Sequence, residues 1–256
     1  MTTITVATLN LHGRQHRWRE RKRLVVAELV DTLPDLISLQ EIRLRGRQGA
    51  WLRNQINARL GETTTPYHLV QQRRRHLFRG FFEGIGILSR LPILSHDAIN
   101  LGYQGRVALR ANVALPSGQT LDFVATHLHS GSYDREAREE QVMALVGWLN
   151  DTGRAPVQIV AGDFNEIPSG PAIQYMKQTY RSVFTVLRGY EPLATFPTAL
   201  VERQDGWAGC IDYIFISPGV RACRARLFCR TAAGDDPTLY PSDHVGLWAE
   251  LEVEPL

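Results

Sequence analysis

Short runs of alternating or continuous apolar residues, separated by stretches of helical period, predict a layered α/β chain. Residues 4–9 (ITVATL) read as a first strand that ends at Asn10, ahead of a turn at Gly13. From Arg17 to Leu33 the apolar positions Leu24, Val25, Leu29, Val30 and Leu33 recur near helical period, and Pro34 stops the helix. Residues 36–41 (LISLQE) form a second strand, and Trp51 to Leu60 a helix with Gly61 as its stop. The middle of the chain is richer in strands: 67–72, 84–88, 106–115 and 120–128. Pro116-Ser117-Gly118-Gln119 supplies a hairpin turn between the last two. A charged start and an apolar side at Val142, Leu145, Val146 and Leu149 mark a helix over 134–149. A buried strand at 157–161 leads into Gly162-Asp163-Phe164-Asn165, followed by a short helix over 171–180 and strands at 211–217, 224–229 and 244–253.

Composition narrows the class. Of the 256 residues, 44% are hydrophobic and 21% charged, which is ordinary globular usage and excludes disordered, collagenous and coiled-coil chains. No repeat or long linker breaks the pattern, so one domain over 1–256 is expected. No apolar run approaches the ~18–20 residues of a membrane helix. The opening MTTITVATLNLHG has no basic segment followed by an apolar stretch, so a signal peptide is not expected and a cytoplasmic monomer is. The net charge of +3 is modest for a dedicated nucleic-acid domain. Lys22 and Lys177 are the only lysines, so the basic side chains are almost all arginine, which a bias in codon usage accounts for first, although arginine forks also suit bidentate phosphate contact. Cys210, Cys223 and Cys229 form no CxxC pair, which argues against a disulfide scaffold or structural zinc.

Polar groups fall at the ends of the predicted strands, where loops gather function over a rigid scaffold. They are Asn10, Glu41, His127, Asp163 with Asn165, Asp212, and Asp243 with His244. Each has an ordinary structural explanation alone: a turn residue, a solvated carboxylate, a core histidine. As a set they suit phosphoester hydrolysis, which needs charge stabilised on the attacking, leaving and equatorial oxygens. A hard divalent cation does this with one or two carboxylates and water. Glu41, after a buried strand, is the best single ligand; Asn10 either supplies an amide oxygen beside it or holds it in place. In an extended segment, the i, i+2 spacing of Asp163 and Asn165 projects both to one face.

The segments TLNLHG (8–13), LISLQE (36–41), GIGILSRLPI (84–93), ATHLHS (125–130), VAGDFNEIPS (160–169), CIDYIFIS (210–217) and YPSDHVGL (240–247) resemble, in order, the motifs of the endonuclease/exonuclease/phosphatase superfamily. That superfamily includes deoxyribonuclease-I-like nucleases, apurinic endonucleases, sphingomyelinases, deadenylases and inositol polyphosphate phosphatases. The resemblance implies a four-layer αββα sandwich: two packed mixed β-sheets with helices on the outer faces. It implies Mg2+ or Mn2+ at Glu41 and Asn10, with Asp243 a ligand for a second or shifted metal. Asp163 would meet the attacking water and Asn165 the phosphate oxygens. His244 would stabilise the transition state with Asp212 holding its ring, and His127 would be a second phosphate-facing histidine, with Glu83 either its carboxylate partner or a surface residue. Arg138 and Gln141 follow His127 in a pattern seen in many relatives, where they tie a helix to the active-site face. His12 departs from the form common in the family's nucleases and resembles a bacterial metal-dependent hydrolase branch.

The first functional reading is a metal-dependent phosphodiesterase acting on nucleic acid by attack of water on phosphorus. A sphingomyelinase- or inositol-phosphatase-like enzyme is the alternative within the class, with a membrane lipid as substrate. An inactive nucleic-acid or protein binding module is the alternative outside it. The segment Arg73-Arg74-Arg75-His76-Leu77-Phe78-Arg79-Gly80-Phe81-Phe82 interleaves arginines with aromatics. Arg73, Arg74 and Arg75 are candidate substrate contacts on a phosphate backbone. The same composition suits an anionic membrane surface, or a solvated basic loop over core phenylalanines.

Overall fold

The structure, a computed structural model, describes residues 1–76, 82–131, 133–151 and 154–255. The 77–81 part of the arginine–aromatic segment lies outside them.

Two six-stranded mixed sheets carry the chain. The first contains β1 (Thr2–Asn10), β2 (Leu36–Arg43), β3 (His68–Arg73), β4 (Glu83–Ser89), β11 (Val220–Phe228) and β12 (Gly246–Val253), in the order β11-β12-β1-β2-β4-β3. The second contains β5 (Ile93–Asn100), β6 (Val107–Ala114), β7 (Thr120–His127), β8 (Gln158–Asp163), β9 (Arg181–Ser182) and β10 (Asp212–Ile216), in the order β5-β6-β7-β8-β10-β9. Only β1–β2 and β7–β8 pair in parallel; the other named pairs are antiparallel.

Period-two alternation sends the two faces of each central strand to different layers. Ile4 and Val6 of β1 meet Leu109, Phe123 and Ile159 between the sheets. Ala7 and Leu9 turn the other way, onto Val25 and Leu29 of α1 (Trp18–Thr32) and Leu52 and Ile56 of α2 (Gln48–Asn57). On the opposite side Val124, Val160 and Phe215 pack against Leu145 of α3 (Arg135–Leu149) and Ile173 of α4 (Pro171–Met176). The layers are therefore helix, sheet, sheet, helix. Burial on both faces explains why these strands read as nearly continuous apolar runs.

The two-residue strand β9, β5 and one helix are absent from the predicted elements. β5 is a half-exposed edge strand whose Ser95, His96 and Asp97 give no apolar alternation. The short helix α5 (Val183–Arg188) is built from VFTVLR, too short and too rich in valine to show a period. α2 also begins earlier than expected. Gln48 anchors its start, accepting from the Arg43 amide and donating to the Gly13 carbonyl.

The registers gather the candidate residues. Both parallel pairs end at one rim: Asn10 lies opposite Gln40 across β1–β2, and His127 opposite Asp163 across β7–β8. The antiparallel β10 begins there too, with Asp212 opposite Asp163.

Candidate active site

Asn10 ties the two sheets together at this rim. Its Oδ1 accepts from the His12 amide at 2.9 Å, which directs Nδ2 toward Glu41 Oε1 at 3.4 Å and Asp163 Oδ2 at 3.0 Å. The amide nitrogen of Asn10, not its oxygen, faces the Glu41 carboxylate. Glu41 sits at a β2 bulge with φ 52°, which swings it off the regular strand face. Desolvation, with the charges of Glu83 and Asp243, holds the Glu41 carboxyl above its usual range.

Asp163, Asp212 and His244 form the buried centre of the rim. His244 Nδ1 lies 2.8 Å from Asp212 Oδ2, and its Nε2 points toward Asp163 Oδ2 at 3.8 Å. Burial alone would lower the His244 pKa. The charge and hydrogen bond of Asp212, with the charges of Asp163 and Asp243, outweigh that and raise it to about 10. Burial and the charge of Asp212 push Asp163 up to about 7, against the opposing pull of His244, Asn10 and the Asn165 amide.

The Asp163/Asn165 pair is arranged differently from the extended segment expected. β8 stops at Asp163, whose Oδ1 accepts from the Asn165 amide at 2.8 Å, and Asn165 has φ 50°. This turn, not strand alternation, brings Asn165 over the rim, where Nδ2 donates to the Leu128 carbonyl at 3.1 Å.

His127 has an arginine as its nearest ring partner. Arg106 Nη1 lies 3.0 Å from His127 Nδ1 and 3.2 Å from Glu83 Oε1, whereas Glu83 is 4.0 Å from the ring. A guanidinium only donates, so Nδ1 must accept and Nε2 carries the proton, 3.5 Å from Asp163 Oδ2. Burial and the Arg106 charge hold His127 well below its usual pKa, so the ring is neutral. Nothing in the sequence reading marked Arg106 beyond its place at a strand start.

Asp243 is buried and engaged by His12, with Nδ1 2.8 Å from its Oδ2, and by the Ser242 hydroxyl. Burial would raise the Asp243 carboxyl; the His12 hydrogen bond and the His244 charge bring it below its usual range. The His12 ring in turn stacks on His16, with centroids 4.8 Å apart.

Of the three arginines, Arg73 and Arg75 are exposed and Arg74 is buried. Arg74 Nε donates to the Gln104 carbonyl, and Nη1 lies 3.7 Å from Glu83. It therefore faces the His127 side of the rim instead of solvent, as alternation at a strand end dictates.

Two supporting side chains frame the site. Arg138 Nε donates to Glu166 at 3.0 Å, while Gln141 accepts from the His129 amide and donates to the Tyr103 carbonyl. The His129 bond joins α3 to the segment after His127, while the others join it to Glu166 beyond β8 and to Tyr103 ahead of β6. Arg21 was not singled out by sequence, because one arginine in a helix of charges carries no signal. It is fully buried and donates to the carbonyls of Leu11, His12, Gly13, Gln15, His16 and Pro241. Burial lowers its pKa to about 10, leaving a cation at neutral pH beneath Asp243 and Glu41.

The donor chemistry fits a hard divalent cation. Glu41 and Asp243 offer carboxylate oxygens, and Glu41 is crowded by like charges that a cation would offset. The model of the Endonuclease/Exonuclease/phosphatase family matches residues 7–244. An endonuclease/exonuclease/phosphatase from Bacteroides vulgatus shares the fold at TM-score 0.78 and 18% identity, over 99% of this chain and 100% of that one. TDP2 of D. rerio, complexed with single strand DNA product, superposes at TM-score 0.79 and 20% identity, over 99% and 100%. The human Nocturnin catalytic domain with bound sulfate anion gives 0.79 and 19%, over 98% and 94%. No curated protein matches the chain.

Proposed function

Because the chain belongs to the endonuclease/exonuclease/phosphatase family, whose members are generally metal-dependent phosphoesterases, we propose that it hydrolyses phosphodiesters, with nucleic acid as the substrate class. The observation that carries this reading is the Asp163–His244–Asp212 centre, which pairs a carboxylate near neutrality with a held histidine cation.

In this reading Asp163 orients the attacking water and takes its proton as the water oxygen bonds to phosphorus; the bond to the leaving alcohol oxygen breaks, and that oxygen takes a proton from solvent. The His244 cation, held by Asp212, stabilises negative charge on a non-bridging oxygen. The neutral His127 donates from Nε2 to the same phosphate, and Asn165 contacts its oxygens. Glu41 and Asp243 hold Mg2+ or Mn2+, with Asn10 fixing the Glu41 carboxylate. When bound, the cation supplies Lewis-acid stabilisation of the phosphoryl oxygens. Arg73 and Arg75, both exposed, meet phosphates beyond the reacting one in this reading, and Arg74 sets the charge beside His127. The DNA product bound to TDP2 supports nucleic acid as the substrate class.

The test is hydrolysis of bis(4-nitrophenyl) phosphate, single-stranded and duplex oligonucleotides, and sphingomyelin, each with Mg2+, Mn2+ or a chelator. Metal-dependent cleavage of the diester and an oligonucleotide is expected, with Glu41→Gln losing most of it. Hydrolysis of sphingomyelin alone would move the assignment to lipid. Chelator-resistant activity, or none on any diester, would overturn it.

A further inference from the structure

The first loop and the two helices of the β1 side form a basic, ring-lined path that the proposed mechanism does not use. It starts in a hollow of about 130 Å³ where Arg14, Arg43 and Phe82 face the carboxylates of Glu41 and Glu83. The Arg43 and Arg45 guanidiniums lie 5.3 and 5.9 Å from the Phe82 ring centroid. Arg14 also lines a larger cleft of about 610 Å³, between the starts of α1 and α2, shared with Trp18, Arg19, Lys22 and Trp51.

The cleft sets aromatic rings beside cationic side chains. The Trp18 and Trp51 rings meet edge to face at 5.8 Å and 73°, and both are half-buried. Lys22 Nζ lies 5.3 Å from the Trp51 centroid. Arg17 and Glu20, also on the cleft wall, neutralise each other, and Arg17 further pairs with Asp236. Arg19 and Lys22 have no acidic partner among the described residues, so their charge is directed at whatever enters.

We propose that this cleft is a second substrate subsite that binds an unpaired nucleotide, its base on the tryptophans and its phosphates on Arg14, Arg19 and Lys22. The inference rests on the phosphodiesterase reading and deepens it to single-stranded nucleic acid. Stacking on a side chain requires a base released from its pair, whereas a duplex offers only phosphates. A lipid surface fits less well, because it needs aromatic rings that protrude, and these line a concavity. Arg14 lines both the cleft and the hollow at Glu41, so in this proposal one strand runs from the subsite toward the cutting site.

The experiment measures binding of a fluorescein-labelled oligothymidylate of about four to sixteen nucleotides in chelator, across a salt series. Arg19→Glu with Lys22→Glu should weaken binding at least about tenfold, with a log–log salt slope shallower by about 0.7 for each phosphate no longer neutralised. Trp51→Leu keeps an apolar side chain in the helix packing and should lose both affinity and the quenching of tryptophan emission by the oligonucleotide. Turnover of bis(4-nitrophenyl) phosphate with Mn2+ should be unchanged in all variants. Such turnover, together with unchanged oligonucleotide affinity and slope, would overturn the subsite while leaving the phosphodiesterase reading intact; absence of turnover in the wild type would instead sink that reading. A loss confined to the charge variant, an equal loss for a duplex of the same length, or capture by phosphatidylserine vesicles abolished in the same variants would also overturn it.

Discussion

Asp163 and His244 acquire their chemistry from each other and from burial, since neither has an unusual pKa as a free side chain. Asp163 is raised to about 7 by desolvation and the nearby Asp212 charge. His244 is raised to about 10 because the Asp212 contact and the surrounding carboxylates outweigh its own desolvation. The signs set a pH window. In the proposed mechanism the raised carboxyl must lose its proton to act as a base, so activity is expected to rise through about 7. The raised histidine must keep its proton to act as a cation, so activity is expected to fall through about 10. The two limbs belong to the coupled pair more than to either residue. The prediction is a bell-shaped pH profile of kcat/KM on a chromogenic diester, with the alkaline limb shifted downward in Asp212→Asn. An alkaline limb that stays in place in that variant would show that Asp212 does not hold the cation.

At the scale of elements, the site exists because five strands, β1, β2, β7, β8 and β10, meet at one rim. The registers Asn10–Gln40, His127–Asp163 and Asp163–Asp212 bring distant sequence positions within a few side-chain lengths. Gly162 shows how tight this is: a Cβ there would sit 2.1 Å from the Thr126 carbonyl oxygen on the neighbouring strand. The loops that complete the rim are held by Arg21, whose bonds to the carbonyls of Leu11, His12, Gly13, Gln15 and His16 and to that of Pro241 join the Asn10 side to the Asp243 side. Lysine has three donors on one nitrogen and cannot span these acceptors. Arg21→Lys should therefore cost about 2–3 kcal/mol, the range for losing charged hydrogen bonds and stranding buried acceptors. Urea unfolding tests this, and an unchanged midpoint with unchanged slope would remove Arg21 from its positioning role.

For the molecule as a whole, the rim concentrates Glu41, Glu83, Asp163, Asp212 and Asp243, and only part of that charge is answered by His12, His244 and the arginines. Folding brings these carboxylates together, so a cation that binds the native rim should stabilise the whole chain by linkage. At a hundredfold excess over its Kd the gain is about 2.7 kcal/mol. For a domain of this size that corresponds to about 2–4 °C in Tm per kcal/mol. Thermal unfolding with Mn2+ or Mg2+ should thus lie several degrees above unfolding in chelator, and Glu41→Gln should abolish most of the difference. Equal shifts in wild type and variant would place the cation elsewhere.

Much of this was legible from local chemistry. Apolar runs and their stop signals located the central strands and the longer helices, because burial on both faces leaves a continuous record in sequence. The ordered motifs identified the family and the αββα layering, and they named the rim residues, since a phosphoester site draws on few side-chain types. Edge strand β5 and helix α5 left no such record; one is half-exposed and the other too short for a period. Tertiary structure alone turned Arg74 inward, inserted Arg106 between Glu83 and His127, bent Asn165 into a turn, and set Arg21 across two loops. These outcomes depend on which groups from distant segments compete for the same hydrogen bonds in a desolvated space. A sequence records the donors and acceptors, but only the packed sheets decide which of them meet.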